Sequence, residues 1–364
     1  MTPGAKPALA DVSPYRQGKA TVARGGRVVK LSSNESPYPP SPAAVAAFHR
    51  TEQELGRYPD GSQADIRQAL ATVYGVPERN IFAGNGSEEA IGLVIRSVMS
   101  AGDEMVTSRN SFIMADINAR SVGAEIIRCD ETGHRVDVRR ILSAVTGRTR
   151  IVYVCSPNNP TGTYTTAGEL RRLDAELPAG VLLIVDAAYG EFVDAGDYDT
   201  GQGLFSPGGR LVVTRTFSKA YALAALRIGW ALAPDGIIDA VNRLRTPFNT
   251  NQAALNAAVA AVRDRDYLER VVGRVRKTRE RFIASLRELG LSVVPSQANF
   301  VLLTFPEGGN HAEVLDAALQ ASGILGRPVA AGANEYRISI GSEEEMSFVL
   351  AAIRDWVNAW RNPC

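Results

Sequence analysis

Two cations stand in a stretch that otherwise reads as buried. In TRTFSKAYALAALRIGW, Thr214 to Trp230, Lys219 and Arg227 lie among small and apolar side chains. A lysine desolvated near other cations loses proton affinity and its free amine attacks carbonyls, whereas a lysine that snorkels to solvent does neither. Thr216, Ser218 and Arg227 suit an anion such as phosphate beside it. Asp186 ends the apolar run VLLIVD, where a carboxylate without a partner is costly. It reads either as a helix cap or as the partner of a bound cation, such as a protonated heterocycle. Tyr189 follows three residues later. Asn159 falls in NNPTG, a turn after the apolar run TRIVYVC. In FAGNGSEEA a glycine loop opens a helix, so the backbone N–H groups of Ser87 and Glu88 present themselves to an anion. The same segment fails as a dinucleotide fingerprint, because Glu89 stands where a third glycine belongs.

These parts describe one ligand. It has an aldehyde for Lys219, a phosphate for Ser87, Ser218 and Arg227, a cationic ring nitrogen for Asp186, and a ring hydroxyl for Asn159 and Tyr189. Pyridoxal 5′-phosphate (PLP) carries all four groups, and an aspartate at its ring nitrogen suits transamination.

The elements that must position these residues alternate. Strand-like runs (NIFAGN, EMVTS, AEIIRCD, TRIVYVC, VLLIVD, RLVVTRTF, IGWALAP) are separated by helical patterns, including a helix expected to be capped by Ser87. Such alternation predicts an α/β fold with a mainly parallel sheet sandwiched by helices, and ligands gather at the carboxyl ends of its strands. From about residue 250 a long helix, two strands and a final amphipathic helix indicate a smaller α+β domain. The expected division is 31–249 for the large domain, and 250–364 with the arm 1–30 for the small one. The basic segment RVVGRVRKTRERF reads as a solvated helix face.

Composition narrows the class. The 364 residues are 45% hydrophobic, and 40 basic residues against 39 acidic ones leave a net charge of +1, so nothing points to nucleic acid or a membrane surface. Cys129, Cys155 and Cys364 are too far apart to suggest a metal site or a disulfide framework. With no apolar signal core at the N-terminus and no run of transmembrane length, a cytoplasmic enzyme is expected.

The motifs SPNNPTG, VDAAYGEF, TFSKAYALAALRIGW and ANFVLL, in this order and spacing, resemble the fold-type I PLP enzymes of the aspartate aminotransferase superfamily. Within it the chain is most similar to the histidinol-phosphate aminotransferase family, over nearly its whole length. The resemblance implies that Lys219 forms the Schiff base and carries the proton. Asp186 would pair with the pyridine nitrogen, Asn159 and Tyr189 would bond the ring oxygen, and Phe112 would stack on the ring. Ser87, Glu88, Ser218 and Arg227 would hold the cofactor phosphate. Tyr58 would reach the cofactor of a partner subunit, implying a homodimer with shared sites. Arg337 would clamp the carboxylate of glutamate, Asn34 would line the site, and Tyr15 and Arg327 would contact a phosphorylated substrate. Members of the family usually carry glycine at the positions of Ala222 and Ala225, tyrosine at that of Ala115, and a longer loop at 328–336. An added methyl at Ala222 or Ala225 is expected to tighten the pocket. The implied reaction exchanges an amino group between glutamate and histidinol phosphate or their oxo counterparts. An aminotransferase for aromatic or other amino acids, and a decarboxylase on the same scaffold, are the alternatives.

Overall fold

Runs such as Leu182–Asp186 and Leu211–Thr216 show no polar alternation, as strands covered on both faces do not, and every residue of both is buried. The computed structural model describes residues 27–329 and 334–361, with Gly4, Leu9, Val12 and Pro14 of the preceding segment. Its strands are β1 (Val29–Lys30), β2 (Ile81–Gly84), β3 (Glu104–Ser108), β4 (Glu125–Cys129), β5 (Thr149–Cys155), β6 (Leu182–Asp186) and β7 (Leu211–Thr216). They continue with β8 (Gly229–Leu232), β9 (Ser292–Val294), β10 (Phe300–Thr304), β11 (Ile324–Leu325), β12 (Arg327–Pro328) and β13 (Glu335–Ser339). The α-helices are α1 (Pro42–Arg50), α2 (Ala64–Tyr74), α3 (Ser87–Val98), α4 (Ile113–Ser121), α5 (Val138–Ser143) and α6 (Ala167–Glu176). After them come α7 (Asp235–Leu244), α8 (Gln252–Arg263), α9 (Arg265–Glu288), α10 (His311–Ala321) and α11 (Glu343–Arg361).

Seven strands form one sheet in the order β2-β8-β7-β6-β5-β3-β4. From β4 to β7 the pairs are parallel, with α-helical crossovers except between β6 and β7, where two 3-10 turns make the link, whereas β8 runs antiparallel to both β7 and β2. The link from β7 to β8 holds one 3-10 turn and folds straight back, so that β8 lies beside the strand that precedes it. That link carries Lys219 and Arg227. A second sheet, antiparallel in the order β12-β13-β10-β9, lies later in the chain, and β1 pairs in parallel with β11.

Two expectations about helices change. Helix α3 is not capped by Ser87: its N-cap is Gly86, which has no side chain to donate to, and Ser87 is already helical. The basic face of α9 is not wholly solvated. Arg279 is buried and donates to the carbonyls of Phe192 and Ala298, and Arg276 donates to those of Phe192, Glu191 and Val193. These arginines turn inward because the loop after β6 brings them unpaired carbonyls, which sequence periodicity does not display.

The β7–β8 link is strained at one point. Ala222 has φ +60, in the left-handed region that favours glycine. Ala222→Gly is therefore expected to raise stability by about 0.5 kcal/mol, the strain relieved less the added chain entropy of glycine. Thermal unfolding would check this, and a lowered midpoint would contradict it.

Candidate active site

Parallel strands place their carboxyl ends along one edge, and the residues singled out above follow those ends. Phe112 follows β3, Asn159 follows β5, Asp186 closes β6, and Ser218 and Lys219 follow β7. All five line one cavity of about 410 Å³, together with Asn34, Ser87, Glu88, Tyr189, Arg227, Arg327 and Arg337. Twelve of the fourteen candidate residues thus converge. Tyr58 does not line it: it is 83% exposed and stacks on Phe248 with ring centroids 4.7 Å apart. Tyr15 lies outside the described residues.

Lys219 is half-buried, and its Nζ donates to the carbonyl of Ser33 at 2.9 Å. Burial first, then the charges of Arg337 and Arg227, bring its pKa down to about 8, with Glu35 pulling the other way. About a tenth of the amine is then free at neutral pH, on the order of a hundredfold or more above an ordinary lysine, as a carbonyl-attacking lysine requires.

Asp186 is buried to 2% exposure, and burial raises its pKa. Three donors oppose that rise: Tyr153 Oη at 2.7 Å, Thr214 Oγ1 at 3.1 Å, and the backbone N–H of Ala188 at 3.2 Å. The arrangement holds a carboxylate ready for a cation in the cavity. Tyr153 and Thr214 were not singled out from the sequence. Their signal is a polar group inside an otherwise apolar strand, and only the β5–β6–β7 pairing aims both at one acid.

Opposite these groups, the start of α3 has no side-chain cap, leaving the Ser87 and Glu88 backbone turned toward the same space. Arg227 lies against it. A Cβ on Gly86 would sit 2.6 Å from Arg227 Nη2, and one on Gly229 would sit 2.2 Å from the Ser87 nitrogen. Both glycines are needed for this approach of strand, helix end and guanidinium. Arg227 also donates to Ser218 Oγ at 3.3 Å and has φ +53 itself. An uncapped helix N-terminus beside an arginine and a serine is a cradle for a phosphate.

The third wall comes from the segment after β1 and from the smaller sheet. Arg337 donates to Asn159 Oδ1 and to the carbonyl of Ser32 at 2.7 Å. Asn34 Nδ2 donates to Tyr189 Oη at 2.9 Å, with Asn34 held at φ +53 and its Oδ1 accepting from Ser339 Oγ at 3.0 Å. The chemistry of the whole set, an amine of lowered pKa, a buried acid awaiting a cation and a phosphate cradle, fits PLP. Ala225 reaches the cavity wall, as expected, but Ala222 and Ala115 do not. Ala222 instead meets the backbone constraint described above, and Ala115 is wholly buried against α3 and the sheet.

The lowered pKa sets a pH dependence. Cofactor-free protein should capture PLP at a rate that climbs about tenfold per pH unit below the Lys219 pKa and levels above about 8. Stopped-flow absorbance would read it, and a rate still climbing steeply above about pH 9 would mean that Lys219 is solvated.

Comparison with known proteins agrees with this geometry. The family model for aminotransferase class I and II matches residues 26–353. Histidinol-phosphate aminotransferase of Paramagnetospirillum magneticum is 41% identical over 360 residues, spanning 98% of this chain and 99% of the relative. The enzyme of the same name from Rhodopseudomonas palustris is 40% identical over 363 residues, spanning 98% of each. Among solved structures, histidinol-phosphate aminotransferase from Sinorhizobium meliloti in complex with pyridoxal-5′-phosphate superposes with a TM-score of 0.89 at 27% identity, covering 97% of both chains. A Thermus thermophilus aspartate aminotransferase variant shares the fold, with a TM-score of 0.80 at 24% identity over 90% of this chain. With its α/β fold, its motifs and its cavity in agreement, the chain belongs to the aminotransferase class I and II family and is a PLP-dependent transaminase.

Proposed function

We propose that this transaminase exchanges an amino group between glutamate and histidinol phosphate, or their oxo counterparts. One observation carries the choice. Arg327 and Arg337 are directly paired across β12 and β13, and both line the cavity. Like charges placed opposite each other on a sheet repel, and a doubly charged anionic group between them removes the repulsion. The phosphate of histidinol phosphate is a group of that kind, and glutamate brings two singly charged carboxylates in its place. The two relatives of about 40% identity carry the same activity in their names.

Each residue then has a job. PLP supplies an electron sink that acidifies the Cα–H of an amine joined to it. Lys219 would hold the cofactor through its aldehyde, and its Nζ would serve as the base that carries the substrate's Cα proton. Asp186, oriented by Tyr153 and Thr214, keeps the ring nitrogen protonated. Phe112 covers the ring, and Asn159 and Tyr189 fix its oxygen. The Ser87 and Glu88 backbone, Ser218 and Arg227 anchor the phosphate. Arg337 binds the substrate carboxylate, Asn34 holds Tyr189 in place, and Arg327 and Tyr15 select the phosphorylated substrate.

The working unit is a homodimer in this reading. Its support is Tyr58, an exposed aromatic stacked on Phe248 and away from its own cavity, as a residue serving the site of a second copy would be. The division at about residue 250 has similar support: the seven-stranded sheet ends at Leu232 and the four-stranded sheet begins at Ser292. Cys129 and Cys155 are free thiols and no described helix is long and apolar enough to cross a membrane, in keeping with a cytoplasmic enzyme.

Substrate profiling of the PLP-loaded protein tests the assignment, read as conversion to the pyridoxamine form. Histidinol phosphate and glutamate should both convert it. Strong turnover of phenylalanine with none of histidinol phosphate, or release of CO2 without an oxo acid, would overturn it. Lys219→Ala should abolish turnover. Arg327→Ala should raise KM for histidinol phosphate by roughly ten- to a hundredfold, the loss of one charge-assisted contact. Tyr58→Phe should weaken PLP retention without altering the visible spectrum of what remains bound, measured by dialysis.

A further inference from the structure

Glu131 follows β4, is half-buried, and does not line the cavity. Its two oxygens nevertheless gather donors from two different loops. One oxygen accepts the backbone N–H of Asn110 at 3.1 Å, and the other accepts the Asn110 side-chain amide at 2.9 Å. The first also accepts from Asn158 Nδ2 at 3.4 Å, and that same amide donates to the Asn110 carbonyl at 2.6 Å. Burial pushes the Glu131 carboxyl up, and the Asn110 hydrogen bonds pull it back toward the charged form.

What these two asparagines precede matters. Asn110 stands two residues before Phe112, the N-cap of α4, in the loop after β3. Asn158 is the neighbour of Asn159, in the loop after β5. Each loop is firm locally. Ser108 Oγ donates to the Asn110 carbonyl at 2.7 Å, the Asn158 N–H donates to the Thr163 carbonyl at 2.7 Å, and the Asn158 carbonyl accepts from the Gly162 N–H at 2.7 Å. The Asn158 amide joins the two loops directly at the Asn110 carbonyl, and Glu131 braces that joint by accepting from both asparagines.

We infer that Glu131 is a positioning residue for the cofactor ring, fixing the face presented by Phe112 relative to the edge presented by Asn159. The inference rests on the reading that Phe112 and Asn159 contact that ring. A carboxylate serves where an amide does not, because both oxygens must accept. Glutamine offers one acceptor and keeps the second contact only by turning the Asn110 amide around, which alters the joint.

The test uses Glu131→Gln and Glu131→Ala in the full-length, PLP-loaded protein. PLP affinity by equilibrium dialysis and visible circular dichroism of the bound cofactor are measured beside thermal unfolding of the cofactor-free protein. Both variants should bind PLP roughly tenfold more weakly, with a changed dichroic band. Wild-type affinity and dichroism in either folded variant would overturn the proposal, even if the melting temperature falls, because Glu131 would then be only a loop tether. Should Glu131→Ala fail to fold, the nearly isosteric Glu131→Gln decides. Phe112→Leu and Asn159→Ala are measured alongside. If these leave affinity and dichroism unchanged, the ring-contact reading falls and takes the proposal with it. If they change both while the Glu131 variants do not, the proposal alone is wrong.

Discussion

The reactivity proposed for Lys219 depends on its partial withdrawal from water while other cations stand near it. Burial and the charges of Arg337 and Arg227 together depress its proton affinity, and Glu35 limits the effect. Neither burial nor the neighbouring charges belong to the lysine. The β7–β8 link supplies Lys219 and Arg227, and the smaller sheet supplies Arg337, so the amine becomes reactive only where separate parts of the fold meet.

Strained backbone surrounds the site. Asn34, Ala222 and Arg227 all adopt left-handed backbone conformations, two of them at residues lining the cavity. Glycines 86 and 229 let a helix end, a strand and a guanidinium approach more closely than any side chain would permit. The buried polar groups beside Asp186 and Tyr189 are paired in a purposeful direction. Tyr153 and Thr214 hold Asp186, and Asn34 holds Tyr189, so the groups that face the ligand are oriented before it arrives. Farther out, the Arg215–Glu191 ion pair, at 2.8 Å and buried on both sides, ties the strand before Lys219 to the turn after Tyr189.

Much of this was legible in one dimension. Asp186 and Lys219 advertise themselves because a charge at the end of an apolar run has few bland explanations. The glycine loop before α3 was legible for its N–H groups, but the cap was misassigned: Ser87 is the commoner capping type, and only the backbone reveals that Gly86 takes that place. Arg276 and Arg279 were read as solvated because helical periodicity cannot register carbonyls arriving from another loop. Ala222 and Ala225 looked equivalent in sequence, yet one answers to backbone strain and the other to the cavity wall.

The sequence by itself determined the chemistry: which residues carry an amine, an acid, an anion cradle and a turn, and that they sit at strand ends. Strand ends are local, and burial of an apolar run can be read from the run. Only the tertiary structure decided which donors orient Asp186, that β8 reverses, that Arg327 and Arg337 face each other, and that Glu131 joins two loops. Those facts depend on strand register and on contacts between residues distant in the chain, and no local pattern encodes them.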